Sequence, residues 1–188
     1  MEHTWDSGLR SLISSNRTTL DLIAGVLSNP KSFDSSDGLT WAYPGFGYKF
    51  LSDNCEGYRG LLDYSNLVQA AFMDSGAAAS WSSQAANMRN GILGFWNSST
   101  NTWAKDKASS GTFDQANMAN WYPDAVAQIY PIAFGVVTAT NPRAINAYGA
   151  LNVAFPSWDK FHFNDSFPWA IVGYAAGLMG DADRRIMD

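Results

Sequence analysis

The segment Trp121-Tyr-Pro-Asp-Ala-Val-Ala-Gln-Ile-Tyr-Pro-Ile-Ala-Phe-Gly-Val-Val137 decides the predicted fold. Its apolar residues fall on nearly every face of a helix, and such a helix is normally surrounded by other helices. We predict one helix over residues 123–138, kinked at Pro131 because proline removes a backbone hydrogen bond. A similarly apolar helix is predicted from Asp165 or Ser166 to Gly180.

Helical spacing of apolar residues predicts the other helices over residues 9–28, 53–73, 77–96 and 142–153. The intervening residues 31–52, 97–115 and 155–164 are interpreted as loops because they are rich in Gly, Ser, Pro or aromatic side chains. No alternating run of β-branched residues indicates a strand. The predicted fold class is therefore all-α, a single all-helical domain over residues 1–188 in which outer helix, aromatic loop and inner helix recur about three times.

Composition excludes several classes of function. The 188-residue chain has 14% aromatic residues, only 15% charged residues and a net charge of −5, whereas a nucleic-acid binder would be basic. Its longest apolar stretch is too short to span a membrane. One cysteine and two histidines are too few for a zinc site, and no cofactor-binding motif is present. We therefore expect no metal, no cofactor, no nucleic acid and no membrane, and the localisation stays open.

Three segments carry a resemblance: Asp53-Asn-Cys-Glu-Gly-Tyr-Arg-Gly-Leu61, Trp121-Tyr-Pro-Asp-Ala-Val-Ala-Gln128 and Phe167-Pro-Trp-Ala-Ile-Val-Gly-Tyr-Ala-Ala-Gly-Leu-Met-Gly-Asp181. They resemble the six-hairpin glycosidase superfamily. That resemblance implies an (α/α)6 toroid with acidic residues and aromatic platforms at one rim of its inner helices. Three hairpins make about half of such a ring, a helical hairpin array with exposed apolar sides, so we expect a homodimer or another form of self-association.

The acidic residues at the starts of the inner helices are the candidate catalytic groups. Glycoside hydrolysis needs one protonated carboxylic acid and one carboxylate flanking the scissile bond. Asp124 is the candidate acid, because two aromatic residues precede it and Gln128 lies one turn later on the same face. Asp53 or Asp165 is the candidate base, with Glu56 in support.

Each acid also has a purely structural interpretation. Asp53 and Glu56 have the spacing of a capping box, and Asp165 is a suitable N-cap. Asp124 follows Pro123 in the first helical turn, where an acid complements the helix dipole. Arg59 lies where it could pair either with Glu56 or with Asp63. Capping alone suffices for each residue taken singly, so both interpretations stay open.

Aromatic side chains in loops are the candidate sugar-binding surface, since the flat C–H faces of sugars stack on rings and loops lie at the surface. Together with the polar Gln128 and His162, the candidates for substrate binding are Trp41, Tyr43, Tyr48, Trp103, Trp121, Tyr122, Trp158 and Trp169. The alternative is that these rings fill the space between hairpins.

The predicted function is that of a carbohydrate-active protein, a glycoside hydrolase that acts on a neutral or weakly charged oligo- or polysaccharide. The alternative is a non-catalytic glycan-binding or assembly module on a truncated toroid. The half-length chain favours the module, and the clustered acids favour the enzyme.

Overall fold

The computed structural model describes residues 7–160 and 169–184, and in them the protein is a mixture of helices and short antiparallel strands. The helices are α1 (Ser7–Ser15), α2 (Arg17–Gly25), α3 (Leu51–Leu67), α4 (Ser75–Leu93), α5 (Tyr130–Ala133), α6 (Pro142–Ala154) and α7 (Ala170–Leu178). The strands are β1 (Phe33–Asp34), β2 (Leu39–Thr40), β3 (Tyr48–Phe50), β4 (Trp96–Asn97), β5 (Thr102–Trp103), β6 (Asp106–Ala108) and β7 (Phe113–Asp114).

The predicted all-α class, with its array of hairpins resembling half of an (α/α)6 toroid, is therefore wrong. Strands β1 and β2 form one hairpin, β4 and β5 form a second, and β6 lies between β3 and β7 in a three-stranded sheet. All of these pairs are antiparallel. Apart from Trp96, which ended the predicted helix over residues 77–96, the strands occupy the stretches that were predicted to be loops. They escaped prediction because strands of two or three residues are too short to show an alternating pattern.

Helices α3 and α4 form the central helical pair. Helix α3 continues into a wider turn (Val68–Phe72) and ends at Met73, which adopts a left-handed conformation with φ of 54°. The Asp74 side chain then accepts a hydrogen bond of 3.0 Å from the Ala77 amide and caps α4. This left-handed residue and N-cap reverse the chain, so that the two helices pack against each other.

Two other predicted helices are interrupted. Residues 9–28 form α1, α2 and a 3-10 turn (Val26–Ser28) instead of one helix. Instead of one kinked helix over residues 123–138, the chain forms a helical turn (Trp121–Ala125) and the separate, short α5, and the interruption lies just before Pro131. Pro131 occupies the first turn of α5, where its missing N–H has no intrahelical partner to lose.

A buried amide side chain holds each two-stranded hairpin against the helical segment that follows it. Asn54 of α3 accepts a hydrogen bond from the Thr40 amide at 2.7 Å and donates to the Thr40 carbonyl at 3.1 Å. Gln128 makes the same pair of bonds with Trp103, at 2.7 and 2.9 Å. Each amide also donates to the carbonyl four residues before it, Phe50 or Asp124. The recurring unit is thus a helix, a β-hairpin and a second helical segment.

The first hairpin packs directly on α4. At Gly38, in the turn of that hairpin, φ is +75°, and a Cβ atom there would lie 2.6 Å from the Asn87 carbonyl oxygen. A Cβ atom at Gly91 of α4 would overlap the Asp37 carbonyl oxygen and the side chain of Leu39. Glycine at both positions therefore permits the close approach of turn and helix.

The main core lies between α3, α4, α6, α7 and residues 121–137, and it contains the wholly buried side chains of Trp103, Phe95 and Met88. A smaller apolar cluster of Ala24, Tyr64, Val68 and Ala78 joins α2 to α3 and α4. In the described residues, no helix combines the length and apolarity needed to cross a membrane.

Candidate functional site

A cavity of about 200 Å³ opens where strand β3 leads into helix α3. It is lined by Phe50, Ser52, Asp53, Lys105, Tyr122, Pro123, Ala127 and Tyr130. The wall therefore combines one carboxyl group, one ammonium group and three aromatic rings. Two of its lining residues were predicted from the sequence: Asp53 as a catalytic residue and Tyr122 as a substrate-binding residue.

Asp53 occupies the first turn of α3 and is half-buried. Ser52 donates a hydrogen bond of 3.1 Å to one of its carboxyl oxygens. Burial raises the pKa of Asp53, because desolvation disfavours the charged form by more than that hydrogen bond favours it. Helix α3 has Phe50 as its N-cap and no side-chain capping bond, so the capping box open to Asp53 and Glu56 is not formed.

Glu56 lies one turn along the same helix and is exposed. Partial desolvation and, secondly, the charge of Asp53 raise the pKa of Glu56. Arg59 does not pair with it: the Arg59 guanidinium binds Asp63, with contacts of 2.7 and 2.9 Å. Asp53 and Glu56 are thus two interacting carboxyl groups that together retain a proton to a higher pH than ordinary carboxyl groups do.

Asp124 lies beside the cavity but is buried, with 1% of its surface exposed. One of its oxygens accepts a hydrogen bond of 2.7 Å from the Asn117 amide and lies 3.4 Å from Nζ of Lys105. Lys105 also forms an ion pair of 3.0 Å with Asp114. The carboxyl group of Asp124 is therefore engaged in holding Lys105 and the preceding loop, and Lys105 is the residue that reaches the cavity.

The aromatic wall of the site contains a stacked pair of rings. Tyr122 and Trp169 lie with centroids 4.8 Å apart and planes inclined by 17°. Tyr122 is 52% exposed and its backbone is extended, with φ of −117° and ψ of 139°, which turns its ring outward from the helical turn. Tyr130 completes this wall. Burial and then the charge of Glu56 raise the pKa of Tyr130 to about 12, so its hydroxyl stays protonated at neutral pH.

A second group of aromatic residues leads away from the cavity along the 41–50 loop. The ring of Tyr43 stacks on Phe46 at 4.5 Å, and Phe46 lies 5.6 Å from Tyr48 and 6.0 Å from Phe50, which lines the cavity. Tyr43 and Tyr48 are exposed. Trp41 instead packs over Nζ of the buried Lys49, at 4.2 Å.

Four of the predicted substrate-binding side chains are buried. Trp103 packs edge-on against Trp96, Trp121 packs edge-on against Phe155, and the Trp158 indole donates a hydrogen bond of 2.8 Å to Asn152. Gln128 is wholly buried in its bonds with Trp103. These side chains therefore fill the interior of the fold and do not form a sugar-binding surface. His162 and Asp165 lie outside the described residues.

Lys105 and Tyr130 are site residues that the sequence analysis missed. Lys105 reaches the cavity because β6 pairs with β3, and no local pattern encodes that pairing. Tyr130 reaches the cavity as the first residue of α5, and helical spacing from Tyr122 does not predict this, because Tyr122 has an extended backbone and the helix is interrupted between them.

No cluster of three or more His, Cys, Asp or Glu side chains in the part of the chain that the structure describes is arranged to hold a metal ion. Comparison of the chain with protein-family models, with curated proteins and with solved structures found no match.

Proposed function

We propose that this chain is a carbohydrate-active protein, a glycoside hydrolase whose paired carboxyl groups are Asp53 and Glu56. The observation that carries the proposal is a half-buried carboxyl group of raised pKa in a cavity lined by the exposed Tyr122, whose ring stacks on Trp169. Glycosidases need a carboxylic acid that is still protonated near neutral pH, and apolar surroundings are the usual way to obtain one.

Three residues of the wall, Asp53, Tyr122 and Tyr130, have roles in this proposal, together with the neighbouring Glu56 and Trp169. Asp53, the more buried of the two acids, donates its proton to the glycosidic oxygen as the bond to the leaving group breaks. The ionised Glu56 either attacks the anomeric carbon as a nucleophile or takes a proton from the water molecule that attacks it. Tyr122 presents a ring face for stacking against the sugar, and Trp169 holds that ring in place. The Tyr130 hydroxyl remains a hydrogen-bond donor for a sugar oxygen.

The decisive experiment measures reducing-end release from a broad panel of polysaccharides by the wild type, Asp53→Asn and Asp183→Asn. Asp183 is a suitable control because it is an exposed acid of the C-terminal turn that does not line the cavity. We expect release by the wild type and by Asp183→Asn, and a loss of at least about a hundredfold in Asp53→Asn. Undiminished release by Asp53→Asn would remove that residue from the chemistry.

A non-catalytic glycan-binding module is the second candidate, and the environment of Asp124 favours it. The acid that the sequence analysis ranked first is buried and bound to Lys105 and the Asn117 amide, so its carboxyl group is not free for catalysis. If the protein releases no sugar from any polysaccharide, but its tryptophan fluorescence changes when a polysaccharide is added, it is such a module. Tyr122→Ala should then abolish binding, while Tyr174→Ala, which removes an equally exposed ring from α7, should not.

Self-association remains a prediction, and exposed apolar side chains on α2 and at the start of the 3-10 turn that follows it support it. Leu22, Ile23 and Val26 are all more than half exposed. Such patches on a soluble domain commonly mark contact surfaces. Light scattering tests the prediction: we expect a dimer for the wild type and a monomer for Leu22→Glu.

A further inference from the structure

We infer that a groove beside helix α4 is a second carbohydrate-binding site, which takes a short segment of a neutral polysaccharide. This α4 groove lies between the turn of the first hairpin, one face of α4 and the β6–β7 pair. Its volume is about 570 Å³, more than twice that of the Asp53 cavity, and the two share no lining residue. The site is therefore separate from the one that the proposed function uses.

Three polar side chains that line the α4 groove are exposed and have no hydrogen-bond partner among the described residues. Asn87 and Asn90 lie three positions apart on α4, which places their amides on one helix face, and Ser35 belongs to the facing turn. Each amide offers two N–H donors and a carbonyl acceptor, and the hydroxyl is both donor and acceptor. Such a mixture of donors and acceptors suits a ligand that is rich in hydroxyl groups.

The charged side chains of the α4 groove already neutralise one another. Nζ of Lys107 lies 2.8 Å from Asp37, whose carboxylate also binds Lys49 at 2.7 Å, and Lys49 lies 2.7 Å from Asp34. Two ammonium groups thus balance two carboxylates. With a further bond from the Leu39 amide, each Asp37 oxygen accepts two hydrogen bonds. A charged ligand of either sign would have to compete with these ion pairs, so the groove favours a neutral ligand.

Lys107 nevertheless has hydrogen-bonding capacity left for a neutral ligand. Its ammonium group carries three N–H donors, and among the described residues it donates to Asp37 alone. The same group lies 5.2 Å from the centre of the Phe113 ring, so its position is fixed from two sides. A sugar hydroxyl can accept a further hydrogen bond from Lys107 without displacing Asp37.

Aromatic surface accompanies these polar groups. Phe33 and Phe113 are partly exposed and line the groove, and Phe113 is held edge-on against Phe95 at 5.1 Å. A wholly apolar ligand would desolvate the amides of Asn87 and Asn90 without giving them partners, which is unfavourable. A sugar ring has both an apolar C–H face and a rim of hydroxyl groups, so it satisfies both kinds of surface. The volume lies within the range of pockets that take ligands of several rings, which leaves room for a short oligosaccharide segment.

The test measures retention in native gels that contain a dissolved polysaccharide, because the mobility reports binding anywhere on the protein. The neutral polymers are mixed-linkage β-glucan, xylan, galactomannan and soluble starch, and polygalacturonate is the anionic one. The proteins are the wild type, the double variant Asn87→Ala/Asn90→Ala, the cavity variant Tyr122→Ala and the control Asn66→Ala.

Asn66 is a matched control, because it is an exposed asparagine of α3 that does not line the α4 groove. Alanine is a better helix former than asparagine, so folding should survive at all three positions. We expect at least one neutral polysaccharide to retard the wild type. The double variant should weaken that association at least about fivefold, since two hydrogen-bonding amides are lost, and Asn66→Ala should change it less than about 1.5-fold.

Tyr122→Ala separates the α4 groove from the Asp53 cavity. It should still be retarded in the gel, because Tyr122 does not line the groove. Its tryptophan fluorescence should no longer respond to polysaccharide, because the lining of the groove contains no tryptophan and fluorescence therefore reports binding at the cavity.

Equal retention of the wild type and the double variant by every neutral polysaccharide would overturn the inference, as would absence of retention or its complete loss in Tyr122→Ala. A loss confined to polygalacturonate would overturn it too, because the ligand would then be anionic. Asp53-dependent release with undiminished retention of the double variant would leave the proposed function intact. Conversely, retention that depends on Asn87 and Asn90, without release from any polysaccharide, would support the second site while the hydrolase fails.

Discussion

The side-chain amide of Gln128 pairs with the main chain of Trp103 on both sides, accepting from its N–H at 2.7 Å and donating to its carbonyl at 2.9 Å. It thus completes the hydrogen bonding of a strand residue that has no exposed surface. Asn54 does the same for Thr40 in the first hairpin. These two amides join the β-hairpins to the helical segments that carry the candidate site.

Removing either amide should therefore destabilise the fold strongly. Gln128→Ala or Asn54→Ala leaves a buried N–H and a buried carbonyl without partners, at a cost of about 3 kcal/mol. Urea unfolding measures this loss. Gln115→Ala, which removes an exposed amide, should change the free energy of unfolding by less than about 0.5 kcal/mol. Similar losses in all three variants would contradict the assigned role of the buried amides.

Two glycines should respond to alanine in opposite ways. Gly91→Ala places a Cβ against the Asp37 carbonyl and should cost at least about 2 kcal/mol, because backbone must move. Gly60 in α3 has open space around its Cβ position, so Gly60→Ala should stabilise the protein by up to about 1 kcal/mol through helix propensity. Thermal unfolding compares the two, and an increase of Tm in Gly91→Ala would disprove the close packing of turn and helix.

Acid should weaken the protein through the buried Lys49. Its ammonium group lies 2.7 Å from Asp34 and from Asp37. Hydrogen bonds from Lys49 and then Ser36 hold the pKa of Asp34 well below its usual range. At Asp37 burial acts to raise the pKa, but the hydrogen bonds from Lys107 and Lys49 outweigh it and the pKa is lowered.

Because the pKa values of Asp34 and Asp37 are lower in the folded state than in the unfolded state, these ionised groups stabilise the fold. This stabilisation is fully present above the unfolded pKa of 3.8, and it is lost as the pH falls through the folded pKa values. We therefore expect Tm to fall steeply below about pH 4. Lys49→Met should have a lower Tm at pH 7 and a shallower fall in acid. If Tm falls as steeply with decreasing pH in Lys49→Met as in the wild type, Lys49 does not cause the loss of stability in acid.

Asp53 should oppose stability at neutral pH. The pKa of Asp53 is higher in the folded state than in the unfolded state, so its ionised form destabilises the fold. This destabilisation is absent below the unfolded pKa and fully present above the folded pKa. Asp53→Asn should raise Tm at pH 7 by about 2–4 °C, allowing for the solvent exposure of the group, while it removes the activity. The gain should vanish near pH 3, and a lower Tm at pH 7 would mean that the carboxylate stabilises the fold.

Asp124, in contrast, should contribute to stability. Asp124→Ala removes the acceptor of the Asn117 amide and one partner of Lys105, which should cost about 2–3 kcal/mol. In a double-mutant cycle with Lys105→Met, the coupling free energy should be about 1 kcal/mol. The control Asp183→Ala, at an exposed acid of the C-terminal turn, should change stability by less than about 0.5 kcal/mol. A coupling free energy near zero would show that the ion pair between Asp124 and Lys105 does not contribute to stability.

Helices with a sustained apolar period were the predictable part of this fold. The predicted helix over residues 142–153 is α6, with Asn141 as its N-cap as the Asn-Pro sequence indicates. Helix α4 begins and ends within about three residues of the predicted bounds, and so does α3 when the wider turn Val68–Phe72 that continues it is included. In each case the signal is local, because helical hydrogen bonds join residues four apart.

The candidate site was predictable in part. Asp53, Glu56 and Tyr122 were named from the sequence, and Asp53 and Tyr122 line the cavity itself. Trp103 was not distinguished from Tyr122, because a ring in an apparent loop gives no indication of whether a strand will bury it. Lys105 was missed because it reaches the cavity through a strand pair that joins residues more than fifty positions apart.

The amino-acid sequence by itself determined where the long helices form and that acidic residues occur at the starts of helical segments. These properties depend on the order of neighbouring residues. Tertiary structure alone decided which strands pair, which aromatic rings are buried and which carboxyl group is desolvated. Those outcomes depend on contacts between distant segments, because hydrogen bonding, burial and pKa values are set by whatever the folded chain brings close together.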